Sequence, residues 1–293
     1  MRSMAAKIAG GVLLLFALLA VFGPLVVPYD SVSTRVIDRL LPPGSTLSDG
    51  SVALLGTDQN GRDVFAQFVA GARISLLVAI TVVVVGGLVG LVLGLLAGYY
   101  GGWIDSIISR IGDIQLAFPS ILLAILLAGV LGPSLLNVVI ALAVTRWVIF
   151  ARVVRGSALA ARNREFVDSA RVLGASDLRI MTRYILPSCV QPLLVAATMQ
   201  VGLTMVAEAA LSFLGLGVPI DQASWGSTIA NGRDYLSSAW WIAAVPGIAL
   251  TLVVICVGIL GDAVRDDSDP TKTPQSRRLR RARKVRETTA VVR

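Results

Sequence analysis

The stretch EFVDSARVLGASDLRIMTRYILP, residues 165–187, decides how the rest of the chain is read. It carries Glu165, Asp168, Arg171, Asp177, Arg179 and Arg183, yet it lies between two apolar runs, near 135–154 and 192–216. Each run is long enough to cross a bilayer, which takes roughly 20 helical residues for about 30 Å of hydrocarbon. The stretch itself reads as two short helices. Phe166, Val167, Ala170 and Leu173 share one face of a helix over 164–173, and Gly174 supplies the left-handed position that ends it. Ser176 can cap the second helix, with Asp177 in its first turn, where a negative charge suits the helix dipole. Leu178, Met181 and Ile185 make a second apolar stripe that ends before Pro187. Such a pair suits either a knob entering another protein's groove or a solvated loop lying on the bilayer surface.

Outward from this stretch the chain is built for lipid. Of its 293 residues 55% are hydrophobic and only 15% charged, which is too little charge for a soluble domain of this length. Six continuous apolar runs stand near 8–27, 74–98, 114–131, 135–154, 192–216 and 240–261. None alternates with period two, so the expected fold is an all-α integral membrane protein with six transmembrane helices. The first run is too long for a signal-peptide core and reads as a retained anchor.

Placing the amino terminus in the cytoplasm puts twenty Lys and Arg inside and five outside (Arg35, Arg39, Arg62, Arg73 and Arg233), with Arg146 inside a span. Without the nine from Lys272 onward the bias is still eleven to five. Both termini are therefore expected in the cytoplasm. The chain divides into an N-terminal stub and anchor (1–28), an extracytoplasmic loop (29–72), a permeation core (73–262) holding the cytoplasmic segment 155–188, and a basic tail (263–293). The tail RRLRRARKVRETTAVVR suits anionic lipid headgroups, and nothing aromatic is interleaved for nucleic-acid stacking.

With no histidine in the chain, imidazole-based chemistry is excluded, and Cys189 and Cys256 lie far from any metal-ligand spacing. None of the three lysines follows a phosphate-cradling glycine loop, so ATP hydrolysis would need another chain. Gly86, Gly90, Gly94 and Gly98 put a smooth stripe on one face of the second span, as close helix packing requires. Glu208 and Arg146 lie inside spans, where each charge must face protein or water. They suit a mutual pair, structural or otherwise, or polar contacts beside a translocation path. Asp105, Arg110 and Asp113 can meet at helical spacing at the entry to the third span. In the outer loop, GTDQNGRDVF (56–65) combines turn chemistry with an apolar anchor, and Asp58, Arg62 and Asp63 are its candidate contact residues.

Residues 168–187 resemble the coupling loop of ABC importer permeases: Asp168, Ser169, Ala170, Gly174, Tyr184, Leu186 and Pro187 keep the spacing of that family's Glu-Ala-Ala, Gly, Ile, Leu-Pro pattern. Asp168 keeps the carboxylate, while Ser169 and Tyr184 depart from it. LLGTDQNGRDVFAQFVAGARISL (54–76), GGWIDSIISRIGDIQLAFPSILLAI (101–125), AEAALSFLGLG (207–217), SWG (224–226) and GDAVRDDSDP (261–270) are similar, in order, to the second permease subunit of dipeptide and oligopeptide importers. The resemblance implies a type I importer permease in the inner membrane of a bacterium. It further implies a homologous second permease, two ATPase subunits that bind ATP and Mg, and an extracytoplasmic substrate-binding protein. Asp168, Ala170, Gly174, Ser176, Leu186 and Pro187 would then couple to the ATPase. Nickel or glutathione import is the nearer alternative, and a secondary transporter with Glu208 carrying a proton is the more distant one.

Overall fold

Backbone polar groups have no water to bond in hydrocarbon, so each apolar run closes its own hydrogen bonds as a helix. The structure, a computed structural model, describes residues 4–26, 33–219 and 222–268. In chain order its helices are α1 (Met4–Val26), α2 (Val64–Tyr100), α3 (Gly102–Leu116), α4 (Ser120–Leu131) and α5 (Leu135–Arg162). They continue with α6 (Glu165–Val172), α7 (Asp177–Ile180), α8 (Leu186–Phe213), α9 (Trp225–Gly232) and α10 (Trp241–Ser268). Among the described residues five helical runs are long and apolar enough to cross a membrane, and the bent pair α3 and α4 makes a sixth crossing if it is one span. The basic tail beyond Ser268 lies outside the described residues.

The expected straight span over 114–131 is replaced by that bent pair, whose halves meet at 87°. Pro119 explains the break, because it offers no N–H and pushes Phe118 out of helical geometry. Trp103, Ile107, Ile111 and Ile114 leave an apolar stripe exposed on α3. Its acidic residues turn to α5 and not to one another. Arg155 grips both carboxylate oxygens of Asp105, with Nη2 to Oδ2 at 2.6 Å, and Arg152 Nη2 reaches Asp113 Oδ1 at 2.6 Å. The expected cluster with Arg110 therefore does not form; a two-pronged guanidinium contact outweighs a single pair along one helix.

The glycine stripe is a packing surface between α2 and α5. A Cβ on Gly90 would lie 2.6 Å from the Trp147 carbonyl oxygen, and one on Gly98 would lie 2.6 Å from Ala158 Cβ. Gly86 has more room, with Ala143 O at 3.5 Å. On another side of α2, Phe16 of α1, Met205 of α8, Trp225 of α9 and Val253 of α10 share one buried cluster.

Helix α2 begins at Val64, within the stretch read as the outer loop, and the described part of that loop has structure of its own. Ser45–Thr46 (β1) and Val52–Ala53 (β2) form a small antiparallel hairpin with Ser45 opposite Ala53. Beneath it Val64 packs with Ala239, Trp241 and Ile242, so the loop borrows its core from the start of α10. Trp241 Nε1 donates to the Thr57 carbonyl oxygen at 3.2 Å and fixes that attachment. This is the hairpin end of the bundle.

Candidate functional site

At the opposite end, Val167 and Ala170 of α6 are buried with Val154, Ala158 and Ala161 of α5 and with Ile180, Met181 and Ile185. The helix ends as expected on Gly174, at φ +78°. The Ala175 N–H closes the turn on the Ala170 carbonyl oxygen at 3.0 Å, a cap that needs a left-handed residue. The apolar face divides differently from expectation: the inward stripe continues through Ala175, packed against this core. Leu173 is thrown outward with Val172 and Leu178, and the first two are 86% and 88% exposed.

The second helix does not stop before Pro187. Residues 177–213 form one continuous helix, entered through a widened turn over Met181–Ile185 in which the Leu186 N–H reaches the Met181 carbonyl oxygen. Such a π turn makes room for a ring that would clash with the carbonyl four residues back. Ser176 holds the cap position, but its hydroxyl makes no capping bond. Asp177 is instead tied to α2, accepting the Tyr99 hydroxyl at 2.6 Å. Arg171 lies over the Tyr99 ring at 5.9 Å and bonds Asp168 at 3.1 Å. The turn is thus braced on two helices while its apolar tip stays free. Tyr99 had no sequence signal beyond its place at the end of a span.

Mid-bundle, Glu208 and Arg146 do not pair. Glu208 is fully buried; its Oε2 accepts the Ser75 hydroxyl at 2.9 Å and its Oε1 the Ser212 hydroxyl at 2.7 Å. Ser224 Oγ contacts Ser212 Oγ at 3.3 Å, and the Trp225 N–H donates to Ser75 Oγ at 3.3 Å. One carboxylate therefore joins α2, α8 and the start of α9, where Ser224 and Ser227 form a reciprocal cap. Only the spacing of Glu208 and Ser212, one helical turn apart, was readable in advance. Arg146 reaches the other way, with Nη2 donating to the Leu203 carbonyl oxygen at 3.3 Å.

Glu208→Leu is expected to strand these hydroxyls and lower the thermal transition of the detergent-solubilised protein by the equivalent of about 1–3 kcal/mol. Glu208→Gln keeps an acceptor and a donor in place and is expected to lose much less. If Glu208→Gln leaves both stability and transport unchanged, the charge itself has no function.

At the hairpin end, Asp58 and Asp63 serve the fold. Asp58 Oδ1 accepts the N–H of Asn60 at 2.8 Å and of Arg62 at 2.9 Å, and its Oδ2 accepts Gln67 Nε2 at 2.9 Å. Asp63 caps α2 through the Phe65 N–H at 2.7 Å. Burial pushes the Asp63 carboxyl above its ordinary range, opposed by the N–H groups of Phe65 and Ala66. Nearby, hydrogen bonds from Ser51 and then Arg35 hold Asp49 at about 2. Arg62, unlike Asp58 and Asp63, lines a cleft of about 630 Å³ here, with Asn60, Gln67, Ser227 and Asn231 among its other walls.

Residues 90–272 match the family described as binding-protein-dependent transport system inner membrane component. The chain belongs to that family. Residues 1–43 of this permease also match the N-terminal transmembrane domain of oligopeptide transport permease C. The permease is 42% identical over 264 residues to the di/tripeptide transport system permease protein DppC of Pseudomonas aeruginosa, covering 89% of this chain and 87% of the relative. It is 40% identical over 257 residues to the glutathione transport system permease protein GsiD of Escherichia coli, covering 88% and 83%. Its fold is that of importer permeases. The MetNI methionine ABC transporter in an inward-facing conformation superposes with a TM-score of 0.56 at 20% identity, covering 68% of this permease and 95% of that chain. An amino acid ABC transporter superposes at 0.53 and 18% identity, covering 67% and 91%.

Proposed function

We propose that this permease carries short peptides across the bacterial cytoplasmic membrane by alternating access, paired with a second, homologous permease. ATP with Mg is bound and hydrolysed on two separate ATPase chains, and an extracytoplasmic binding protein delivers the substrate to the hairpin end. The excess of Lys and Arg on the other side supports this orientation, with both termini in the cytoplasm. The observation that carries the reading is the turn around Gly174. Its tip of Val172, Leu173 and Leu178 is exposed and apolar, while Val167, Ala170 and the Tyr99 to Asp177 bond fix its base to the spanning helices. A rigid base under an apolar tip is what a lever seated in a partner's groove requires. A solvated surface loop requires neither. The di/tripeptide and dipeptide transport relatives, at 42% and 41% identity, support a peptide cargo, and the glutathione relative at 40% favours a second, chemically related reading.

The test is to purify the tagged permease from its native membrane in mild detergent and identify its companions by mass spectrometry. A homologous permease and a chain with a P-loop are expected, with ATP hydrolysis rising when the loaded binding protein is added. A permease that emerges alone, under conditions that keep a control ABC complex intact, overturns the reading.

A further inference from the structure

Arg146 stands about 16 Å along α5 from Leu135, near the middle of the span at 1.5 Å per residue. A charge at that depth must face protein or water. Its Cβ lies on the α2 side, 3.6 Å from where a Cβ on Gly86 would be, and its Nη2 reaches Leu203 of α8. The guanidinium therefore spans the junction of α2, α5 and α8. Its Nε is buried without a partner, and among the described residues no carboxylate pairs with it. Glu208, on the same α8, has both carboxylate oxygens engaged by serine hydroxyls.

Two further polar groups at this level are open. Gln200 and Thr204, 5% and 0% exposed, stand on either side of Leu203 in the chain, and Gln200 Oε1 and Thr204 Oγ1 have no partner. Thr204 precedes Ala207 by three residues and Leu211 by seven, so it shares their face. Ala207 and Leu211 are buried with residues of α2, α4 and α5. Gln200 stands one helical turn before Thr204 and so shares that face. Buried polar atoms are nearly always bonded in native proteins; the two open groups on this face of α8 suit a polar guest, and the Arg146 guanidinium, bonded to Leu203 of the same helix, suits one that is anionic.

We propose that Arg146, Gln200 and Thr204 form a carboxylate-binding station for the peptide in transit. The guanidinium presents a donor fork matched to a carboxylate and takes the C-terminal carboxylate of the peptide. The Thr204 hydroxyl adds a donor to the same group, and Gln200 Oε1 accepts the neighbouring peptide N–H. The inference rests on the peptide reading above and goes beyond it by naming the part of the substrate that is held and the residues that hold it.

The test uses the complete transporter in proteoliposomes with its binding protein and ATP, and compares uptake of alanylalanine with uptake of its C-terminal amide. Arg146→Gln is expected to lower the maximal alanylalanine rate by at least about tenfold, as loss of a charge-assisted contact would. The amide rate and the half-saturating concentration of alanylalanine should stay unchanged, and Arg146→Lys should restore most of the lost rate. If Arg146→Gln prevents assembly, Thr204→Val is expected to give the same selective loss in a milder form. Wild-type alanylalanine rates in the variant, or an equal fold loss for both substrates, overturn the station and leave the peptide reading standing. An intact wild-type complex that takes up neither substrate overturns the peptide reading, and the station falls with it.

Discussion

Gly90→Ala is expected to destabilise the permease strongly, whereas Gly87→Ala, on the same helix, is expected to leave it as stable or slightly more so. Intrinsic propensity favours alanine over glycine in a helix interior by about 0.8–1 kcal/mol at either position. What separates them is the space outside the helix. A Cβ at Gly87 meets nothing within 4 Å. At Gly90 it would stand 2.5 Å from Phe150 Cβ, 2.6 Å from the Trp147 carbonyl oxygen and 2.8 Å from the Ala151 nitrogen. Two of those atoms are backbone and cannot rotate away, so α5 would have to retreat along its contact with α2. Overpacking of this kind costs typically 1–3 kcal/mol, which exceeds the propensity gain. Thermal melts followed by size-exclusion chromatography of the solubilised protein separate the two variants. Equal shifts for both would mean that the α2 and α5 backbones do not approach as closely as the structure has them.

This stripe was legible in the sequence because glycines every fourth residue leave no side chain to argue about. The end of α6 was legible for a similar reason, since a left-handed residue is what Gly174 supplies and Ala175 needs. Polar pairing inside the bundle was not. Arg146 finds a backbone carbonyl, which no sequence displays, and Glu208 finds Ser75 across 133 residues of chain. The third span misled because continuous hydropathy through 114–131 hides a break that a single proline imposes. The outer loop looked coreless because its core, Trp241 and Ile242, belongs to a segment 180 or so residues away. What a glycine permits could be read; whether a proline breaks a helix, as Pro119 does, or is absorbed in it, as Pro187 is, could not, nor could which distant groups satisfy a buried charge.

Leu173→Asp is expected to abolish most ATP-driven uptake while sparing the fold, and Val167→Asp, on the same short helix, is expected to break the fold itself. Leu173 is 86% exposed and Val167 fully buried, so the same charge has opposite meanings at the two positions. Surface substitutions usually stay within about 0.5 kcal/mol, whereas an unpaired charge among Val154, Ala158 and Ile180 must either be neutralised or force the helix off α5. An apolar anchor in a partner's groove is worth about 2 kcal/mol or more when it is a principal contact. Losing it corresponds to roughly a thirtyfold weaker hold on the ATPase. The readouts are the thermal transition of the solubilised permease, the ATPase recovered with it, and transport in proteoliposomes. An unchanged transition for Leu173→Asp, with ATPase recovery and transport both falling, is the expected pattern. Full transport by Leu173→Asp would mean that the exposed tip seats in nothing. Motion from hydrolysis would then have to enter through another part of this surface, for which Phe166, stacked on Tyr184 at 6.4 Å and partly exposed beside the same turn, would be the next residue to change.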